Sequence, residues 1–290
     1  MTKIGVRDTF TGCVILALLG VLVAAGPTAP PQPQPVGWGD WWQSAEEKRL
    51  DRIEQMVDCG IKVLYQGGHG SGVLFVRGEE VYAITAAHVV RDRGGSQPFG
   101  WFPQQLVPDA VQPKKTYGTK SIWIHRHRQD VDTFTTDIYA AEIIAVDGPT
   151  DAAILRIKNV TPANFPGLDG GADFDLRNNK TLRRGEKTIH VGNFNDSKEA
   201  VTNGVISNPQ LPLGNGQPPL PKFRVIQTTN MCAPGSSGGA VYLEGNGKCI
   251  GILVRTTWMP GDALVIPVYE IDQWLNDVSD EMGLLLEQPE

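Results

Sequence analysis

The chain has 290 residues, of which 41% are hydrophobic and 20% charged, and its formal net charge is −6. That balance is globular, with length enough for one large all-β unit or for two barrels. A net negative charge argues against a sequence-independent nucleic-acid binder, which needs a basic face.

Lys3 and Arg7 precede an apolar run over 13–26 that ends near the small residues Val23, Ala24 and Ala25. The run is short for a spanning helix and the right length for a signal-peptide core, so residues 1–26 read as a signal peptide. The alternative is an uncleaved membrane tether through residues 10–26. Both readings export the folded part to a periplasmic or extracellular compartment. Residues 27–43 form a Pro/Trp-rich linker, in which Pro27, Pro30, Pro31, Pro33 and Pro35 favour an extended spacer. Trp38, Trp41 and Trp42 follow as a cluster suited to docking.

Ser44-Ala45-Glu46-Glu47 has the pattern of a capping box. Leu50, Ile53, Met56 and Val57 then share one face at helical spacing, which predicts an amphipathic helix over 45–57 with its charged face in solvent. From Ile61 the pattern changes to short β-rich runs. The expected strands are 61–66, 71–76, 80–85, 121–124, 139–146 and 152–157, then 187–192, 200–207, 223–229, 239–243, 248–254 and 263–267. Short, evenly spaced strands without helices between them favour a sandwich or barrel. The polar stretch 158–186 divides the two sets, and a final amphipathic helix is expected over 268–282.

An insert runs from Arg91 to about Asp137 and contains His125-Arg126-His127-Arg128. Histidines two apart share a strand face, but no acidic or cysteine cluster accompanies them at metal-ligand spacing. The reading is a solvated basic hairpin, with no metal. Of four cysteines, export would remove Cys13. Cys59, Cys232 and Cys249 cannot all pair within one chain, and spacing does not decide between pairings.

Three stretches carry candidate chemistry. Ala233-Pro234-Gly235-Ser236-Ser237-Gly238-Gly239 sets a serine among glycines before an apolar strand. Such a turn can expose a hydroxyl and aim successive backbone N–H groups into one hole. Tyr82-Ala83-Ile84-Thr85-Ala86-Ala87-His88 ends a β-rich run on a histidine, the side chain suited to proton transfer near neutrality. Asp151 stands at the foot of the apolar strand that begins at Ala152, where a carboxylate can fix a histidine tautomer.

The order His88, Asp151, Ser237 matches the chymotrypsin-type triad. Thr85-Ala86-Ala87-His88 resembles the histidine motif of trypsin-like serine peptidases. The stretches 145–155 and 226–239, with 201–207 and 265–268, are similar to the HtrA/Deg branch in register from about Ile61 to Trp274. The resemblance implies two six-stranded antiparallel β-barrels, 44–165 with the N-terminal helix and 166–290 with the C-terminal helix. It implies a serine endopeptidase without metal or organic cofactor, acting on unfolded or exposed segments of protein or peptide substrates. The roles would be His88 as base, Asp151 as its orienter, Ser237 as nucleophile, and the N–H groups of Gly235 and Ser237 as oxyanion donors. Met231 and Cys232 would lie near the base of the primary pocket, with Thr256 and Ala263 on its walls. Without a carboxylate at that base, a small or medium aliphatic P1 side chain is expected. Members of that branch form trimers through aromatic residues near the N-terminus, so the resemblance implies a homo-oligomer, a trimer, through Trp38, Trp41 and Trp42. The chain ends at Glu290, so the branch's usual C-terminal PDZ domain is not expected.

Ser236 replaces the aspartate by which trypsin-like zymogens bind a new N-terminus, which argues against activation by that route. The long 91–137 insert would lie near the rim of the site as a gate or selector. Two other classes compete. A binding module with a vestigial triad would not need all three side chains and both glycines intact. A serine esterase usually has a strand-to-helix elbow and the order Ser, Asp, His.

Overall fold

The computed structural model describes residues 38–66, 68–90, 121–129, 134–148, 150–165, 168, 170–194, 199–212, 224–256, 262–283 and 285–287. The calls on residues 1–26, on the proline spacer up to Pro35 and on most of the insert lie outside them.

Twelve strands form two closed antiparallel barrels, as expected. The first contains β1 (Gly60–Tyr65), β2 (Gly68–Arg77), β3 (Glu80–Ala86), β4 (Ile122–Gln129), β5 (Phe134–Asp147) and β6 (Ala152–Ile157), in the order β1-β2-β3-β6-β5-β4. The second contains β7 (Lys187–Asn193), β8 (Glu199–Pro212), β9 (Arg224–Thr228), β10 (Ala240–Leu243), β11 (Cys249–Thr256) and β12 (Ala263–Pro267), in the order β10-β11-β12-β9-β8-β7. Closure leaves no strand edge unpaired, so the alternating branched residues of each strand fill a barrel interior. Ile61, Val63, Val73, Ile84 and Ile154 are buried in the first barrel, and Val241, Leu253, Ala263 and Val265 in the second.

Several elements differ from the sequence reading. The helix α1 runs Trp38–Asp58, so Ser44 lies inside it and the expected capping box does not cap its start. Its polar face is not merely solvated. Arg49 Nε donates to Glu244 Oε1 at 2.5 Å and Arg52 donates to the Gly245 carbonyl at 2.7 Å, both in the β10–β11 turn. On the other face Met56 is buried and Ile53 and Val57 pack on the core, whereas Leu50 is exposed.

The basic run of the insert is one arm of a hairpin, as expected, but it is not wholly solvated. His125 and His127 do share a face, but Arg126 between them is buried under the barrel wall. Its Nε donates to the Asp58 carbonyl at 3.1 Å and its guanidinium lies 5.0 Å over the Phe165 ring. A buried guanidinium needs acceptors and an aromatic face, and the end of α1 and Phe165 supply them.

Residues 158–186 are not a plain polar joint. Phe165, Leu168, Ala172, Phe174 and Leu182 are buried, and bridges pair Gly171 with Phe75 and Phe174 with Cys249, one on each barrel. Finally, the C-terminal helix is two pieces, α3 (Val268–Val278) and α4 (Asp280–Gly283), because Ser279 turns extended between them. Beyond α4, the Leu285 carbonyl accepts from Arg77 Nε at 2.8 Å, tying the C-terminal end to β2.

Candidate active site

His88 stands on α2 (Ala87–Val90), a single turn that ends β3. Asp151 precedes β6, which pairs with β3 from Tyr82↔Arg156 to Ala86↔Ala152. This register brings Asp151 beside His88. The Asp151 carbonyl accepts from Ala87 N at 2.9 Å, its Oδ1 accepts from His88 N at 2.9 Å, and its Oδ2 lies 2.8 Å from His88 Nδ1. The carboxylate therefore fixes both the main chain and the ring, and a proton on Nδ1 makes Nε2 the basic nitrogen of the ring.

Ser237 comes from the other barrel. Its turn closes through Ser236 N donating to the Ala233 carbonyl at 3.0 Å, with Pro234 second and Gly235 third at φ +97°. Those are the requirements of a type II turn, which needs a residue of positive φ at its third position. Ser236 is wholly buried, and its hydroxyl accepts from Ala233 N at 2.9 Å and donates to Ala233 O at 2.6 Å. Gly239 N then donates to the Ser236 carbonyl at 2.9 Å, and Gly238 N to Leu253 O at 2.6 Å. These bonds leave the N–H groups of Gly235 and Ser237 unspent among the described residues.

The turn abuts the His88 region. A Cβ at Gly70 would lie 2.5 Å from Val89 and 2.9 Å from the Ser237 carbonyl, so Ser237 and the residue after His88 flank one point. A Cβ at Gly238, where φ is +88°, would collide with the Ser71 carbonyl and reach within 2.9 Å of Ala86 N. Only glycine fits there.

The expected pocket residues divide. Ala263 is buried and pairs with Thr256 across β11 and β12, and Cys232 is half-buried against the apolar cluster that contains Ala263. Met231 instead is 67% exposed, with its carbonyl accepting from Thr202 Oγ1 at 3.1 Å. Burial, helped by the Asp262 carboxylate, pushes the Cys232 thiol up to about 11. Cys59 and Cys249 are buried, their thiols pushed up to about 12 by desolvation, and all three cysteines are free. Such thiols are not nucleophiles at neutral pH.

Sequence reasoning passed over Ser71, whose hydroxyl donates to the Gly235 carbonyl at 2.7 Å and whose N–H donates to the Ser237 carbonyl at 2.7 Å. The available signal was Gly70-Ser71-Gly72, a second serine between glycines.

The sequence profile of the family described as "Trypsin-like peptidase domain" matches residues 70–252, well over half of the chain. The chain belongs to that family. This trypsin-like domain has curated relatives named as HTRA2 and DegP-like serine proteases. It is 31% identical over 127 residues to "Serine protease HTRA2, mitochondrial" of Bos taurus, covering 44% of this chain and 26% of that protein. It is 35% identical over 115 residues to "Probable periplasmic serine endoprotease DegP-like" of Chlamydia pneumoniae, covering 39% and 21%. The chain thus spans about a quarter of the length of the curated relatives it matches. Among solved structures, it is similar to the serine endoprotease from Yersinia pestis, with TM-score 0.54, 18% identity, and coverage of 81% of this chain and 68% of that one. A structure of Deg5 gives 0.52 at 20% identity, covering 79% and 92%. At those identities the structures speak to the fold.

Proposed function

We propose that this trypsin-like domain is a serine endopeptidase. The observation that carries the reading is the His88–Asp151 pair, bound at 2.8 Å, set against a glycine turn that carries Ser237 and two unspent N–H groups. His88 takes the Ser237 hydroxyl proton as Oγ attacks the scissile carbonyl, and returns it to the leaving amine. Asp151 holds the ring and stabilises its charged form, while Gly235 and Ser237 N–H groups bind the oxyanion. Water, deprotonated by His88 in turn, then releases the acyl group.

The substrates of this reading are unfolded or exposed protein segments, met in a periplasmic or extracellular compartment; the DegP-like relatives' names call those proteins periplasmic. No helix among the described residues is long and apolar enough to cross a membrane. A tether through residues 10–26, a trimer and a boundary between barrels near residue 165 belong to the same proposal. A small or medium aliphatic P1 residue is its expected preference. The Asp262 carboxylate, next in sequence to Ala263 of the expected pocket wall and accepting from Gln227 Nε2, favours a second reading in which P1 is basic.

Incubation of the purified chain with a fluorophosphonate probe and casein, beside Ser237→Ala, tests the activity. Labelling and cleavage should vanish in the variant, since losing the nucleophile of such a unit costs on the order of a million-fold in turnover. A folded wild type that neither labels nor cleaves would sink the reading. Profiling a peptide library varied at P1 separates aliphatic from basic preference.

A further inference from the structure

Asp147 takes no part in the proton transfers, yet it grips the chain beside one of the residues that would. It ends β5, and its Oδ2 accepts from both Thr150 N and Thr150 Oγ1, each at 2.8 Å. We propose that Asp147 is a positioning residue for Asp151, holding the residue on each side of it so that its carboxylate stays on His88. The inference rests on the hydrolytic reading above, in which Asp151 orients the base.

Asp151 lies between two neighbours that Asp147 holds in different ways. Ala152 pairs through the backbone with Asp147 of β5, and on its other side with Ala86, where β3 gives way to the turn of helix that carries His88. Thr150 is held by the Asp147 side chain. Bonds at its nitrogen and at its hydroxyl fix two of the substituents around its Cα, and so set the direction in which its carbonyl carbon departs. The peptide plane from Thr150 to Asp151 begins there, and its rotation is held by Asp151 N donating to the Gly148 carbonyl at 3.1 Å. The next plane, from Asp151 to Ala152, is held by Ala87 N donating to the Asp151 carbonyl at 2.9 Å. With a plane fixed on each side, the Asp151 Cα has one orientation, and its side chain reaches His88 N and Nδ1.

The grip is needed because this backbone is under strain. Asp151 has φ +48°, a left-handed geometry that a residue with a Cβ leaves when it can. Relaxing to negative φ turns the plane before Cα against the plane after it. The later plane is pinned by Ala87 and the sheet, so the Thr150 side would have to move. Thr150 is buried, and an N–H and a hydroxyl deprived of Oδ2 would turn to find other acceptors. Either movement swings the Asp151 carboxylate relative to the His88 ring.

The test takes the full chain with Asp147→Ala, counts active sites by fluorophosphonate titration, and measures kcat, KM and the pH profile of kcat/KM. Loss of the triad carboxylate costs about ten-thousand-fold and a displacement of about 1 Å about a hundred-fold, so kcat per titrated site should fall about ten- to a hundred-fold with KM little changed. The acid limb of the profile should move to lower pH, because a histidine whose carboxylate is displaced holds its proton less firmly. Freshly purified Asp147→Asn keeps an oxygen for Thr150 and loses only the charge, so it should stay close to wild type. An asparagine variant that falls as far as alanine would mean that the charge acts and the grip does not, which overturns the inference. A merely structural Asp147 overturns it too: the alanine variant would lose melting temperature and titrated sites but keep kcat per site and its acid limb. If Asp147→Ala does not fold, Thr150→Val, which removes one of the two bonds, decides by the same measurements with a smaller fall expected. A wild type that neither labels nor cleaves overturns the hydrolytic reading and this inference with it. A wild type that turns over beside an unaffected Asp147→Ala overturns the inference alone.

Discussion

Asp151 has a left-handed backbone, φ +48°, which costs most side chains energy and is tolerated best by glycine, asparagine and aspartate. That geometry lets one residue bind Ala87 through its carbonyl and His88 twice through its carboxylate. Asp151→Asn keeps a side chain that accepts this backbone and removes only the charge and one acceptor. We expect kcat to fall about ten-thousand-fold, as for loss of the orienting carboxylate in such triads, while the melting temperature hardly moves. A fall of less than tenfold in a titrated variant would show that Asp151 does not orient His88. The three side chains with candidate chemistry were legible in the sequence because the chemistry restricts their types and glycines mark the turn. Ser71 was not, because its meaning depends on Gly235, 164 positions away, and on Asn193, 122 away. No local pattern encodes a contact at that separation.

At the scale of elements, the short β-rich runs located all twelve strands and bounded β6 and β12 at both ends, while β4, β5 and β8 run longer than expected. β4 continues through His125-Arg126-His127-Arg128 because Arg126 behaves as an inward residue, its charge met by the end of α1 and by Phe165. Alternation read from residue type alone gives arginine the opposite sign. The same contact distinguishes two arginines that a sequence treats alike. Arg126→Ala empties a buried site and should cost about 2–4 kcal/mol, the range of large-to-small core changes. Arg49→Ala removes a part-exposed pair with Glu244 and should cost at most about 1 kcal/mol. Urea unfolding of both variants checks this ordering, and equal costs would mean that the guanidinium burial is not used for stability.

At the scale of the molecule, the second barrel buries a side chain that ordinary surface logic would leave outside. His190 on β7 is wholly buried between Thr202 of β8 and Val241 of β10, with the Phe194 ring at its edge and the Ser236 carbonyl near. Desolvation pushes it down to about 4, against some support from the Ser236 carbonyl. Between that value and the usual one near 6.5 the unfolded chain binds a proton that the folded one refuses, so this contribution is complete above 6.5 and shrinks as pH falls toward 4. Asp272 and Glu270, both raised by burial, act with the opposite sign, so the effect must be read as a difference. His190→Val should show a shallower loss of melting temperature between pH 6.5 and 4 than wild type. Parallel curves would clear His190 of the role.

The position of α1 has a mechanical consequence. The helix is bonded to the β10–β11 turn through Arg49 and Arg52, and its last residue holds Arg126 of β4. A pull applied at Ser44 would therefore be shared between β4 of the first barrel and the β10–β11 turn of the second, so the helix acts as a strut across both rather than as a lead into β1 alone.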